Sequence, residues 1–174
     1  MNTGIRVLIS EEDIKNRIVE MAEQINTDYE GKIIHMICVL NGGMFFMCEL
    51  AKHITVPVTI DSISVSSYGD GTESSRNVKI VKSLNSPIEG RDVIVVDDII
   101  DTGRSLKKVL DLVNNENPSS LAAITLLDKP ERREVDVEMY LTGFKIPNEF
   151  AVGYGLDYAQ KYRNLPYVGV MNNI

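Results

Sequence analysis

Apolar positions in this chain recur with two periods, and the switches between them mark its elements. From Ser10, the stretch SEEDIKNRIVEMAEQI sets Ile14, Ile18, Met21, Ala22 and Ile25 three or four residues apart, one face of an amphipathic helix. Ser10, three residues ahead of Asp13, supplies the capping pattern of a helix start. KIIHMICVL is a continuous apolar run that stops at Asn41-Gly42-Gly43, after which MFFMCELAKHI reads as a helix. VPVTIDSISVSSY alternates, with Ile60, Ser62 and Ser64 opposed to Asp61, Ile63 and Val65, as a strand with two unlike faces does. RDVIVVDDIIDTG is a second β-branched run, and SLKKVLDLVNN then places Leu106, Val109, Leu110 and Val113 at helical spacing. LAAITLLDKP, after Pro118, is a further buried strand. Between Ser67 and Asn77 the chain is polar, glycine- and serine-containing and without apolar period. We read it as a mobile loop between strands, because VKIVKSL resumes alternation at once.

Strands that alternate with helices, and that read as near-continuous apolar runs, predict an α/β fold: a mostly parallel twisted sheet with helices on both faces. No repeat, linker or low-complexity tract interrupts the 174 residues, so we expect a single domain over 1–174. In such sheets ligands bind beyond the carboxyl ends of the strands, where strand order reverses. Asn41-Gly42-Gly43, the segment from Asp97 to Ser105, and Asp128-Lys129 each follow an apolar run directly, so three strand ends are expected to converge on one site.

Charge narrows the partners. The net charge of −7, with no basic tail or Lys/Arg run, argues against nucleic acid as a main partner, so any anionic ligand must be held locally. A regulator of the same fold that binds RNA would need a basic surface, which the composition lacks. MNTGIRVLISEEDIK has no basic region followed by a long apolar one, and no apolar stretch reaches the length of a membrane span; a cytoplasmic protein with no membrane partner is expected. Cys38 and Cys48 sit in apolar surroundings without CxxC spacing and read as buried thiols.

The chemistry concentrates in VIVVDDIIDTGRSL, Val93 to Leu106. Thr102-Gly103-Arg104-Ser105 opens a helix, and a helix N-terminus offers unpaired N–H donors and the positive end of the dipole to a phosphate. Thr102 and Ser105 add hydroxyls, Gly103 permits close approach, and Arg104 adds charge. Neither GxxxxGK[ST] nor GxGxxG is present. Adjacent Asp97 and Asp98 beside a phosphate turn suit sugar hydroxyls, which need acceptors, and hydrated Mg2+, which needs hard oxygens. A ribose 5-phosphate fits that arrangement. The bland alternative is a solvated acidic loop with Asp101 capping the helix.

These residues resemble the phosphoribosyl-pyrophosphate motif of the type I phosphoribosyltransferases. Among these, the resemblance to the hypoxanthine-guanine phosphoribosyltransferases runs through LNGG, SSYGDG, LLDKPERRE and GFKIPNEFAVGYGLDYAQKYRNLPYVG. It implies the type I fold, with a small hood formed by the N-terminal and C-terminal segments. It also implies purine salvage: transfer of 5-phosphoribose from phosphoribosyl pyrophosphate to N9 of a 6-oxopurine, hypoxanthine and guanine, giving IMP or GMP and pyrophosphate. Mg2+ is the implied cofactor and a homo-oligomer, dimer or tetramer, the implied assembly.

Residue by residue, the resemblance implies that Asp97 and Asp98 hold the ribose hydroxyls, partly through Mg2+, and that Thr102, Gly103, Arg104 and Ser105 hold the 5-phosphate. Asp101 is implied as the catalytic proton acceptor facing N7 of the purine. Asn41, Gly42 and Gly43 match the pyrophosphate loop, often built around a non-proline cis peptide, and Arg163 matches the arginine near that pyrophosphate. Lys129 matches the donor to O6, Phe150 the ring stacked on the base, and Ile99 a wall of that pocket. Asp157 matches a carboxylate near a second Mg2+, and the backbone at Ala151 and Asp157 would meet the C2 edge. An oxocarbenium-like transition state must be kept from water, so Ser67 to Asn77 is the expected lid, with Ser67 and Tyr68 covering the pyrophosphate side. The chain departs from the pattern twice: Asn41 stands where Lys or Arg is common, and Asp97 where the pair usually begins with Glu, an Asp pair being found also in xanthine-guanine relatives.

Overall fold

The computed structural model describes residues 4–67 and 78–171. Ser10 starts the first helix, α1 (Glu11–Asp28), by the predicted device: its Oγ accepts from the Asp13 N–H at 3.1 Å and donates to Asp13 Oδ2 at 2.6 Å. Glu11, Glu12 and Asp13 place negative charge against the positive end of the helix dipole. The five residues of the predicted apolar stripe, Ile14, Ile18, Met21, Ala22 and Ile25, are all buried.

That stripe and the inner face of α2 (Met44–His53) lie on one side of a sheet, and α3 (Arg104–Asn114) lies on the other. The sheet comprises β2 (Ile34–Leu40), β3 (Val58–Ser67), β4 (Val78–Lys82), β5 (Asp92–Ile100), β6 (Ser120–Asp128) and β7 (Leu141–Lys145), in spatial order β4-β3-β2-β5-β6-β7. All neighbours run parallel except the β3–β4 pair. Coverage on both faces is why β2 and β5 read as unbroken apolar runs. Ile94 and Val96 pack under α1 and α2, while Val93 and Val95 pack under α3.

Strand order reverses between β2 and β5, and the two strands part there. Their ladder runs from Ile34↔Asp92 to Cys38↔Val96 and stops. On the outer sides, β2 continues with β3 to Leu40↔Ser64, and β5 with β6 to Ile100↔Asp128. The Asp97-Asp98 pair, which the pattern placed after the strand, belongs to β5 and faces the opening.

A second, antiparallel sheet joins β1 (Ile5–Ile9) to β9 (Val168–Met171) and β9 to β8 (Ala151–Val152). It is the hood of N-terminal and C-terminal segments that the resemblance implies. These strands are short, and the β1–β9 pairing spans most of the chain, Ile5 opposite Met171, so local periodicity does not announce it. Ser67 closes β3 opposite Val78, so the expected lid loses its first residue to the strand; 68–77, with Tyr68, lie outside the described residues.

One burial expectation changes, and one buried charge was not anticipated. Cys38 is buried, but Cys48 is exposed on the outer face of α2 beside Met44 and Phe45, because an apolar helix covers the sheet with one face only. Asp61 is the converse, a carboxylate only 5% exposed on the inward side of β3. It accepts from the backbone N–H groups of Ser62 (2.7 Å), Asn85 (2.7 Å) and Ser86 (3.2 Å) and from Asn85 Nδ2 (2.8 Å), with Lys82 Nζ at 3.6 Å. No helix of the described residues is long and apolar enough to cross a membrane.

Burial by itself would push the Asp61 carboxyl up, yet the three backbone donors and the Lys82 ammonium together hold it below the ordinary carboxylate value. The charged form is therefore the stabilising one, and its contribution is present above the unfolded value near 3.8 and lost as pH falls through the lower folded value. Asp61→Ala is expected to cost about 2–4 kcal/mol at pH 7 by leaving buried donors unpaired. Urea denaturation checks this, and the gap from wild type should narrow below pH 4.

Candidate active site

The parting of β2 from β5 leaves a cleft of about 310 Å³ at the carboxyl end of the sheet. The turn after β2 forms one wall, the end of β5 and the start of α3 the other, and Arg163 reaches in from the C-terminal segment. The peptide between Leu40 and Asn41 is cis. Gly42 leaves room for the Asp98 carboxylate, which a Cβ there would overlap in its present position. Gly43 N–H donates to Val39 O at 3.0 Å and begins the turn into α2.

Opposite that turn, Asp97 Oδ1 accepts from the Asp98 N–H at 2.9 Å, and Asp98 Oδ1 accepts from the Ile99 N–H at 2.7 Å. Burial, reinforced by the neighbouring Asp98 charge, pushes the Asp97 carboxyl well above the ordinary value. Burial raises Asp98 as well, while its contacts with Asp97 and Ile99 and the Arg163 guanidinium pull the other way. The fold thus holds two acceptor groups where their charge is poorly solvated, which marks the pair as a candidate functional site.

The helix start beside them is open. The N-cap of α3 is Gly103 at φ +86°, with no side-chain cap, so Asp101 does not serve as one. Thr102 Oγ1 accepts from the Arg104 N–H at 3.3 Å. Gly103 cannot be replaced without clash, because a Cβ would stand 2.5 Å from Val135 O. Thr102, Gly103 and Ser105 line the cleft, so the helix dipole, the remaining first-turn N–H groups and the two hydroxyls form a cradle of the kind that suits an anion. Arg104 is directed elsewhere: its Nε donates to Glu134 at 2.6 Å on the exposed surface, so its side chain adds no charge to the cradle.

Lys129 follows β6, and its backbone N–H donates to Ile100 O at 2.9 Å, which joins this strand end to the preceding one. The residue is 7% exposed, and burial pushes the ammonium below its ordinary value. Asp101 lies nearby, with Arg132 Nε at 3.1 Å from its Oδ1. Phe150, by contrast, is 45% exposed and braced edge-on by Tyr158 with ring centroids 5.7 Å apart, so it is no core aromatic, whereas Tyr154 is. Ala151 is buried in β8, and Ile99 lines the cleft.

Asp157 and Arg163 are partners. Arg163 Nη2 stands 2.9 Å from Asp157 Oδ1, and Nη1 donates to Gly155 O at 2.7 Å. Gly155 in turn lies so close to Gly42 that a Cβ would overlap the Gly42 carbonyl. The C-terminal segment is therefore packed onto the turn after β2. Sequence reasoning missed Arg133 in this region. Its Nη2 donates to Asp128 Oδ1 at 2.5 Å and its Nε to Asp101 O at 3.1 Å. The only sequence signal was the paired Arg in LLDKPERRE.

A cleft at the switch point of a parallel sheet, with a helix start on one side and buried paired carboxyls beside it, is the arrangement expected from the strand ends. The sequence profile of the phosphoribosyl transferase domain matches residues 10–159. The chain is 51% identical over 166 residues to hypoxanthine-guanine phosphoribosyltransferase of Streptococcus thermophilus, covering 95% of this chain and 92% of that one. The crystal structure of a hypoxanthine phosphoribosyltransferase from Staphylococcus aureus superposes with a TM-score of 0.91 at 47% identity, over 95% of this chain and 90% of that one. The bifunctional protein TilS/HprT of Listeria monocytogenes is 48% identical over 166 residues, and the chain spans 26% of its length. The chain belongs to the hypoxanthine-guanine phosphoribosyltransferase family.

The Asp97 carboxyl gives a stability test of the site. A raised folded pKa means that its contribution to stability is present below the unfolded value near 3.8 and lost as pH rises through the folded one. Asp97→Asn, which keeps an oxygen for the Asp98 N–H, should stabilise the ligand-free protein at pH 7 by about 1 kcal/mol, the usual scale when a strained site residue is relieved. Thermal denaturation without divalent cations should show the gain shrinking toward pH 4.

Proposed function

We propose that the chain transfers 5-phosphoribose from phosphoribosyl pyrophosphate to N9 of hypoxanthine and of guanine, giving IMP or GMP and pyrophosphate. The observation that carries this reading is the placement of the anion cradle at α3, the buried Asp97-Asp98 pair and the glycine turn after β2 around one cleft, with buried Lys129 at the next strand end.

In this reading the cradle at Thr102, Gly103 and Ser105 holds the 5-phosphate, and Asp97 and Asp98 accept from the ribose hydroxyls. The turn at Asn41, Gly42 and Gly43 receives the pyrophosphate through backbone amides, with Arg163 alongside. The bond from ribose C1 to the pyrophosphate oxygen breaks, the bond from C1 to purine N9 forms, and Asp101 takes a proton at N7. Lys129 donates to O6, Phe150 stacks on the base with Ile99 as the opposite wall, and the backbone at Ala151 and Asp157 meets the C2 edge.

Mg2+ suits this donor set. It is usually held by one or two carboxylates, with waters and substrate phosphates completing the shell, and Asp97 and Asp98 supply hard oxygens on that scale. Asp97 and Asp98 would hold it, with Asp157 at a second position, and when bound it supplies charge stabilisation to the departing pyrophosphate.

The proposal extends to a homo-oligomer, supported by Met44 and Phe45 exposed side by side on α2, and to the cytoplasm, where free Cys38 and Cys48 stay reduced.

Initial rates with phosphoribosyl pyrophosphate and each of hypoxanthine, guanine, xanthine and adenine test the reading. Hypoxanthine and guanine should react. Adenine presents an amine to the Lys129 donor and should be rejected by about 10⁴-fold, the margin of a site built to pair a specific polar group. Backbone carbonyls at C2 should disfavour the xanthine oxygen. Lys129→Met should abolish the preference for 6-oxopurines; a wild type that uses adenine well sinks the assignment.

Asp101→Asn should lower kcat by about 10²- to 10⁴-fold with phosphoribosyl pyrophosphate binding retained, since it removes proton acceptance and little else. Rapid-mixing kinetics and equilibrium binding read the two effects separately, and unchanged turnover would leave Asp101 without a catalytic part.

A further inference from the structure

The two side chains assigned to the purine edge stand on different strand ends. Asp101 follows β5 and Lys129 follows β6, and neither side chain fixes the other. Yet O6 and N7 are neighbours on one edge of a rigid bicyclic base, so the spacing between acceptor and donor must be set by the protein. One guanidinium spans that gap. Arg133 Nε donates to Asp101 O at 3.1 Å, while Nη2 donates to Asp128 Oδ1 at 2.5 Å and reaches Ile100 O at 3.4 Å.

The Ile100 carbonyl is shared, because it also accepts the backbone N–H of Lys129 at 2.9 Å. Arg133 thus bonds the backbone of the proton acceptor, the backbone carbonyl that anchors the base reader, and the carboxylate one residue ahead of that reader. Both ion-pair partners are mostly shielded from solvent, with side-chain exposures of 21% and 13%. Behind it the same segment docks on the phosphate turn: the N–H groups of Glu134 and Val135 both donate to Thr102 O, at 2.9 and 3.0 Å. The Arg133 side chain also lies against Gly103, where a Cβ would stand 3.1 Å from its Cδ.

We propose that Arg133, anchored by Asp128, is the positioning residue that sets the distance between Asp101 and Lys129 and so matches them to N7 and O6 of one 6-oxopurine. The inference rests on the base-pocket reading above. An arginine suits the task because its planar fork presents several donors in fixed directions, and a lysine, with a single flexible ammonium, cannot bridge two carbonyls and a carboxylate in that geometry. Arg133 touches no substrate in this account. It acts through the two residues it spaces, and because Lys and Gln both keep a carbon at the δ position that faces Gly103, those substitutions should fall on use of the base and spare the cradle and the pyrophosphate turn.

The test compares wild type, Arg133→Lys, Arg133→Gln, Asp128→Asn and the Asp128→Asn/Arg133→Gln double variant, at a temperature where circular dichroism shows each folded. Arg133→Lys and Arg133→Gln should lower kcat/KM for both hypoxanthine and guanine by about 10²-fold, the cost of misplacing a positioned group by about 1 Å. The KM for phosphoribosyl pyrophosphate should stay at the wild-type value. Asp128→Asn should show the same split at smaller size, and it carries the test by itself should the Arg133 variants not fold. The double variant should be no worse than Arg133→Gln, because the two residues act as one unit.

A folded Arg133→Gln, or failing that a folded Asp128→Asn, with unimpaired use of hypoxanthine overturns the inference, as does an equal loss for base and for phosphoribosyl pyrophosphate. An active wild type accompanying that result leaves the functional reading standing. A wild type that uses no 6-oxopurine overturns the reading, and this inference with it.

Discussion

Two parallel strands that share a ladder as far as Cys38 and Val96 and then separate are the constraint on which this molecule's chemistry depends. Each is committed to another neighbour beyond that point, β2 to β3 and β5 to β6, so the sheet cannot close the gap. Backbone and side chains facing the gap have lost their sheet partners, and Asp97 among them is also largely shielded from water. The turn at Asn41, Gly42 and Gly43 and the carboxylates of Asp97 and Asp98 occupy that space. Two acidic groups side by side in it are unfavourable for the folded protein alone, as the raised Asp97 and Asp98 carboxyls show. Such a site trades stability of the empty protein for strong interaction with what binds there.

The surroundings compensate locally rather than through the overall charge. A chain of net charge −7 brings cationic groups to the cleft and to the neighbouring strand end one at a time, each fixed by its own contacts. Arg163 is oriented by Asp157 and Gly155 O, and Lys129 is enclosed at a strand end, while Arg132 lies over Asp101. The α3 N-terminus adds partial positive charge that no titration removes, with Gly103 giving the backbone the left-handed turn it needs. Glycine serves the same end at position 155, since a Cβ there would overlap the Gly42 carbonyl and hold the C-terminal segment off the turn after β2.

Much of this was legible in the sequence because it is local. The α1 cap and stripe, the runs that became β2, β5 and β6, the glycines after β2 and the helix start at Gly103 each depend on neighbours within a few residues. Side-chain period and cap chemistry act at that range. The doubled Asp beside the helix start marked the site for the same reason: hard acceptors and an anion cradle adjoin along the chain. The match of the cluster to a known family then supplied the proposed base pocket, which spacing alone did not give.

What only the tertiary structure decided are the relations between segments far apart in sequence. Asp61 is buried because residues 85 and 86 bring three hydrogen bonds to it, and nothing near it in the chain announces them. Cys48 is exposed because only one face of α2 meets the sheet, and Arg104 leaves the cradle because Glu134 is folded within reach. The pairing of β1 with β9, and the bonds from Arg133 to Asp101 and Ile100, join residues separated by loops whose closure depends on the whole core. The sequence by itself determined which groups are present and what each run of the chain becomes. Their distances and exposure were set by packing, because a hydrogen bond or ion pair depends on where its partner lies in space, and chain order does not encode that at long range.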